Sequence, residues 1–188
     1  MDKSVYCNTD KRIFYLADGV DEQSIGMICF NLLYILSEDQ KKEDTQKDFK
    51  REPIKFYIQS FGGSVYDMWA LIEILLNSKT PIHTYSMGYS MSAGLDIFLA
   101  GHKRFATKHS VFLYHQLSAW DVNGKYQDIV EYQHELDKQQ EEIEKYIAER
   151  TKITPKKLAD IRKAKEDWYI RYEEAIELGI ATDIIDKF

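Results

Sequence analysis

Cysteine and proline are scarce in this chain: two of the first and three of the second in 188 residues. Two cysteines, Cys7 and Cys29, make neither a disulfide framework nor a metal site. Cys29 falls on an apolar helical stripe, where it reads as a small core residue. A reducing, cytoplasmic setting is the expectation. No apolar run approaches the roughly 20 residues of a membrane span. Residues 1–6 carry neither a basic region nor an apolar core, which excludes a secretory signal there. Positive charge is also in short supply. Lys and Arg number 25 against 31 Asp and Glu, a net charge of −6, which argues against a general nucleic-acid binder. No Gly-Lys-Ser or Gly-Lys-Thr occurs, and the spacing around Gly62-Gly63 fits neither the P-loop nor the dinucleotide fingerprint. No cofactor and no metal is expected, and any ATP dependence would come from a partner.

What is present suits one globular domain. Apolar residues make up 44% of the chain, enough at this length for a sizeable core. Residues 1–11 are polar and show little pattern. Residues 12–17 read as a strand, Asp18-Gly19 as a turn and Asp21 as a helix N-cap. Ile25, Ile28, Cys29, Leu32, Leu33 and Leu36 then recur at helical spacing. Residues 37–53 mix both charge signs with almost no apolar residue and read as a solvated loop or frayed helix end, with a partner contact as the other reading. Residues 54–59 alternate Ile54, Phe56 and Ile58 as a strand does. Ser64 and Asp67 look like a capping box opening a helix through Asn77. Residues 82–87 form the next strand. The order strand–helix–strand–helix–strand–helix argues for an α/β fold with parallel strands.

Farther on, residues 104–106 and 111–114 read as short strands. Residues 125–150 read as one helix without proline or glycine, roughly 35–40 Å long. Ile129, Leu136 and Ile143 stand seven apart on its narrow apolar stripe. A second subunit or the chain's own core could cover that stripe. Thr154-Pro155 starts another helix, and an aromatic strand, a short helix and a final apolar piece at Ile184-Ile185 follow.

Residues 88–94, Gly-Tyr-Ser-Met-Ser-Ala-Gly, are where chemistry concentrates. A strand, a glycine-bearing turn and a helix starting at Ser92 would expose the hydroxyl and aim backbone N–H groups at whatever it attacks. Ser90 competes with Ser92, and the spacing to Gly94 favours Ser92. Of five histidines, only His115 directly follows an apolar strand, where a side chain can emerge at a sheet edge. Asp167 precedes an aromatic strand. Acyl transfer needs a nucleophile, a base and a carboxylate that fixes the base's tautomer. It also needs two N–H donors for the oxyanion, which Gly63 and Ala93 could supply. Spacing alone leaves open whether these residues converge.

The segment Tyr57-Ile58-Gln59-Ser60-Phe61-Gly62-Gly63-Ser64-Val65 resembles the Tyr-Ile-Asn-Ser-Pro-Gly-Gly-Ser-Val segment of the Clp protease proteolytic subunit (ClpP) family of serine peptidases. Residues 88–94 resemble its Gly-x-Ala-Ala-Ser-Met-Gly turn. Lys103-Arg104-Phe105-Ala106, His115-Gln116, Asp167-Trp168-Tyr169 and Glu173-Glu174-Ala175 resemble further family segments. The resemblance implies a ClpP/crotonase-like α/β fold of repeated strand–helix units with a long projecting handle helix. It implies Ser92 as nucleophile, His115 as general base and then acid, Asp167 as its orienter, and the N–H groups of Gly63 and Ala93 as oxyanion donors. It also implies polypeptide substrates, stacked heptameric rings enclosing a chamber, and an AAA+ unfoldase as partner. The last expectation is weakened by the short N-terminus, since about eleven residues precede the first expected strand where the family carries axial loops.

Four departures stand out: Ser90, Phe61 and Leu117 replace family residues, and Asp96 puts a carboxylate where the family has an apolar one. Two alternatives accompany the peptidase reading. One is a catalytically silent scaffold subunit of the same fold. The other is a crotonase-like acyl-CoA enzyme, a related fold that also uses paired oxyanion N–H groups.

Overall fold

The computed structural model describes residues 5–119 and 122–185. Strands β1 (Val5–Asn8) and β2 (Ile13–Leu16) form an antiparallel pair. Beside β2 run, in parallel order, β3 (Ile54–Ser60), β4 (Ile82–Met91) and β5 (Lys103–Ala106). The far end of β4 turns away from β5 and pairs with β6 (Val111–Tyr114), which pairs antiparallel with β7 (Trp168–Arg171). A two-residue β8 (Asp183–Ile184) adds to β5. Helices α1 (Glu22–Thr45), α2 (Val65–Leu76) and α3 (Ala93–Leu99) follow successive strands, as the alternating sequence pattern implies. Phe14, Phe56, Phe98, Phe112, Ile28, Leu32, Leu71 and Leu75 are fully buried in one continuous core between sheet and helices. The sheet's other side carries an aromatic ladder, Tyr15 on Tyr57, Tyr57 on Tyr85 and Tyr85 on Phe105.

Local signals place the helix starts. Asp21 caps α1, accepting from the Ser24 N–H at 2.7 Å, while the Ser24 hydroxyl accepts from the Asp21 N–H at 3.1 Å. Ser64 caps α2 through the Asp67 N–H, without the reciprocal half of the expected capping box. Thr154 caps α5 (Pro155–Ala164) with proline in its first turn. A short α6 (Tyr172–Glu177) leads to the C-terminal strand.

Three expectations need correction. The polar stretch at the N-terminus contains β1. Its inward residues, Val5 and Cys7, are only two, too few to show as a pattern, and residues 1–4 lie outside the described ones. Strand β4 runs four residues past its expected end. Gly88 (φ 93) looks like a stop and instead bends the strand so that Tyr89–Met91 reach β6.

The third correction is the largest. Of the two readings, loop or frayed helix end, residues 37–45 follow the second but are ordered rather than frayed: they are the last turns of α1, held by charge rather than by apolar packing. Asp39 is only 1% exposed. It accepts from both terminal nitrogens of Arg12, at 3.0 and 2.7 Å, and from the Thr80 hydroxyl at 2.7 Å. Arg51 ties the return segment to the same helix through Gln40 (2.7 Å) and Glu43 (2.6 Å). A charged sequence thus forms an ordered element because its charges are matched in place.

The long helix α4 (Tyr126–Arg150) spans the expected range and divides in two. Ile143, Tyr146 and Ile147 in its second half are buried on α3 and the core, whereas Tyr126, Ile129 and Tyr132 in its first half are exposed. The chain's own core therefore covers the second half of the stripe and leaves the first half open.

Burial works to raise the Asp39 pKa, but Arg12, Thr80 and the nearby Arg51 outweigh it and hold the carboxyl below its ordinary 3.8. A depressed carboxyl stabilises the fold above its unfolded pKa and loses that contribution as pH falls through the folded one. Asp39→Ala strands a buried guanidinium and is expected to cost about 3–5 kcal/mol at neutral pH, read by urea denaturation. The gap between wild type and variant should be full above about pH 4 and shrink at lower pH.

Candidate active site

Strand β4 delivers the chain to Ser92, which adopts φ 52 and ψ −129, a sparsely populated conformation for a residue with a Cβ. The surroundings hold it there. The Ser92 N–H donates to the Leu113 carbonyl of β6 at 2.9 Å, and the Ser92 carbonyl accepts from the N–H groups of Leu95 and Asp96. Its hydroxyl makes no capping bond. Ser90, the competing serine, is fully buried in β4, with its hydroxyl on that of Ser86 at 3.0 Å.

The chain after β3 passes so near that it has no room for side chains. A Cβ on Gly62 would come within 2.7 Å of the Ser92 Cβ, and one on Gly94 within 3.0 Å of the Ser60 carbonyl. On its other side the Gly62-Gly63 turn is bonded to Val20. The Val20 N–H donates to Gly62 at 2.9 Å, and the Ser64 N–H donates to Val20 at 2.7 Å. In that parallel bridge the Gly63 N–H points away from Val20, and among the described residues it donates to nothing. The Ala93 N–H is the first of α3, so no intrahelical acceptor exists for it. Two unused donors therefore flank Ser92, one from each glycine-bearing turn.

His115 follows β6 directly and lines the same pocket as Ser92, Gly63 and Ala93. No hydrogen bond joins its ring to Ser92. Asp167 stands just before β7. The β6–β7 register pairs Tyr114 with Trp168, so the next step along both strands sets Asp167 opposite His115. Its side chain is exposed, lines neither pocket around Ser92, and makes no hydrogen bond to His115. Ser92, His115, Gly63 and Ala93 are thus gathered at one place, with Asp167 adjacent along the backbone but not engaged.

Two connected spaces adjoin Ser92. An outer groove of about 530 Å³ runs between Phe61, Tyr66, Leu117 and α4. An inner pocket of about 50 Å³ passes behind Ser92 between Met68, Leu95 and Ile143 toward Asp96 and Tyr114. Behind it lies a buried polar cluster. The Tyr114 hydroxyl donates to Glu144 at 3.1 Å, the Gln140 amide donates to both, and Arg162 pairs with Glu144 at 2.9 Å.

The Clp protease family model matches residues 3–188. The chain belongs to the Clp protease family. Curated Clp relatives include the "ATP-dependent Clp protease proteolytic subunit 1" of Shouchella clausii, 29% identical over 93% of this chain and 84% of that one. The protein of the same title from Prochlorococcus marinus is 30% identical over 94% and 85%. Subunit 2 from Treponema pallidum is 32% identical over 72% and 68%. A ClpP1 mutant from Listeria monocytogenes shares the fold, with a TM-score of 0.79 over 95% of this chain and 94% of that one at 22% identity.

Within the Clp protease fold, the sequence reading missed the inner pocket and the Tyr114–Gln140–Glu144 cluster. Tyr114 ends an apolar strand and Gln140 and Glu144 sit on a charged helix, so no local pattern connects them. Among the described residues no group of three His, Cys, Asp or Glu side chains could hold a metal ion, and no helix is long and apolar enough to cross a membrane. Burial pushes both thiols, Cys7 and Cys29, up to about 11, which keeps them from acting as nucleophiles at neutral pH.

The strain at Ser92 is testable without any substrate. Ser92→Gly removes the Cβ penalty at positive φ and is expected to stabilise the fold by about 1 kcal/mol, net of glycine's larger unfolded-state entropy. Chemical denaturation reads this directly. A loss of stability would mean that the serine side chain supports the turn.

Proposed function

We propose that this chain is a serine endopeptidase that hydrolyses unfolded proteins or peptides inside an oligomeric chamber. The observation that carries the reading is Ser92, strained at the strand–helix turn between two unused N–H donors, in a pocket shared with His115. The Ser92 Oγ attacks the scissile carbonyl as His115 takes its proton. The tetrahedral oxyanion sits between the Gly63 and Ala93 N–H groups. Collapse expels the amine, which receives the proton from His115. Water then enters, gives its proton to His115 and attacks the acyl-serine. Collapse releases the acid and returns the proton to Ser92. Asp167 fixes the imidazole tautomer once its side chain turns toward His115.

Assembly supplies that last adjustment. Helix α1 presents Met27, Phe30, Leu33 and Tyr34 outward at helical spacing, with Phe30 75% exposed. The first half of α4 presents Tyr126, Ile129 and Tyr132. Surfaces of this kind mark contacts between subunits. The first fits neighbours within a ring and the second a handle between two stacked rings, heptamers by family resemblance. The reaction needs no cofactor. Several relatives carry "ATP-dependent" in their titles; here ATP use would belong to an AAA+ unfoldase partner. A cytoplasmic location accords with two unpaired thiols. One observation favours a second reading, the silent scaffold subunit: neither Ser92 nor Asp167 is hydrogen-bonded to His115.

A fluorophosphonate probe followed by peptide mapping separates the two. An adduct on Ser92 of the assembled protein is expected; an adduct on Ser90 would overturn the assignment of Ser92, and none on a well-formed oligomer would sink the peptidase reading. Ser92→Ala is expected to lower peptide hydrolysis about a millionfold, and Asp167→Asn about ten-thousandfold through the wrong imidazole tautomer. Phe30→Glu should shift sedimentation velocity toward smaller species, and an unchanged profile would remove α1 from the interface.

A further inference from the structure

Asp96 lies one helical turn beyond Ser92, its N–H donating to the Ser92 carbonyl at 3.2 Å. It is 5% exposed and lines the inner pocket. Its backbone carbonyl accepts from the Tyr146 hydroxyl at 3.0 Å, but its carboxyl oxygens have no hydrogen-bond or ion-pair partner among the described residues. The other two buried carboxylates among the described residues are matched, Asp39 by Arg12 and Thr80, and Glu144 by Arg162, Tyr114 and Gln140. The neighbouring guanidinium groups are committed elsewhere. Arg150 donates to the carbonyls of Leu99 and Gly101, and Arg104 to those of Ile180, Gly179 and Arg150. A buried carboxyl without a partner is costly, and here it stands at the end of a pocket that begins at the attacking serine.

We propose that this pocket receives a side chain ending in a primary ammonium, with the Asp96 carboxylate as its counter-charge, so that the enzyme cleaves on the carboxyl side of lysine. The inference rests on the peptidase reading above. The pocket's shape fits it. The walls, Met68, Leu95 and Ile143, suit an unbranched run of methylenes that begins in the outer groove, and the inner space of about 50 Å³ takes the slim end of such a chain rather than a planar guanidinium. An isosteric apolar side chain would fill the same space and leave the buried carboxyl unpaired, and sites of that kind reject the analogue lacking the polar group.

Burial raises the Asp96 pKa to about 8, so the empty pocket holds mainly the neutral acid at pH 7. Entry of an ammonium then expels a proton, and binding tightens as pH rises toward 8. The groups facing Asp96 do not mask this signature. Burial raises Tyr114 of β6 and Tyr146 of α4, which stay neutral across the range. Gln140 is uncharged, and Glu144 is paired with Arg162. His115, which lines the same pocket, is present in both wild type and variant, so their difference isolates Asp96.

The test titrates the full chain with n-butylammonium and with 1-butanol, read by amide NMR shifts at Ala93 and Leu95. The ammonium should bind at least about tenfold tighter at pH 8, weakening about tenfold per pH unit below pH 7. Asp96→Asn should remove both the preference and the pH dependence. Equal binding of the two ligands, or a preference that survives in Asp96→Asn, overturns the inference whatever the protein cleaves. A second arm compares fluorogenic peptides with lysine or norleucine before the scissile bond. Lysine should be favoured about tenfold or more in kcat/KM, and Asp96→Asn should abolish the preference. Ser92-dependent cleavage that favours norleucine overturns the lysine assignment and leaves the peptidase standing. No Ser92-dependent cleavage of either peptide by the assembled protein overturns both.

Discussion

The turn after β3 and the turn after β4 approach so closely that side chains are excluded between them. Gly62 lies against the Ser92 Cβ, Gly94 against the Ser60 carbonyl, and Gly63 against Val20. Each contact replaces a side chain with backbone, and backbone brings N–H groups where a side chain would have brought bulk. The donors of Gly63 and Ala93 stay unused because Val20 bonds to the residues on either side of Gly63 and Ala93 opens its helix. A local strain at Ser92 and a local donor pair are therefore two consequences of one packing arrangement. Widening the gap would relax the serine and move the donors apart together.

Charge burial provides the second constraint. Among the described residues of this acidic chain, most carboxylates meet water and three are buried. Asp39 joins the end of α1 to Arg12 and Thr80, so it fastens a helix whose last turns have little apolar surface of their own. Glu144 holds α4 against β6 and α5 through Tyr114 and Arg162. Both are structural, and both are satisfied. Asp96 shares their depth and lacks their partners, and it alone of the three borders the space that opens toward Ser92. A buried carboxyl that fastens nothing inside the chain is the kind of group that waits for something from outside it.

Much of this was legible in the sequence, for reasons that differ by element. Alternation at Ile54, Phe56 and Ile58, the Asp21 cap and the Thr154-Pro155 start depend on a few neighbouring residues, and these appear where they were expected. The glycine-bearing turns were legible because glycine is needed where chains meet. What escaped depends on distant partners. The helical character of residues 37–45 rests on Arg12 and Thr80, about 30 to 40 positions away, and reads locally only as a run of charges. Strand β1 is too short to show its period. Gly88 has two possible meanings, stop or bend, and only pairing with β6 selects the second. Asp96 was visible as an oddity, but its burial and its lack of partners belong to the assembled core.

The same distinction between local and distant explains the state of the site. Ser92 and its two donors are set by contacts inside one chain and stand in place. The His115–Asp167 pair depends on the ends of β6 and β7, where the antiparallel ladder finishes and the side chains meet solvent. Beyond β6 the chain leads into α4, whose first half exposes Tyr126, 82% accessible, with Ile129 and Tyr132. Another subunit covering that half of the helix would bear on the outer groove, which is lined by Leu117 and Ser118 after β6 and by Tyr132 and Leu136 on α4. Under the proposed peptidase reading, association and alignment of the histidine would be coupled by the chain itself. A serine prepared in the protomer and a histidine aligned only on association would then confine hydrolysis to an assembled form.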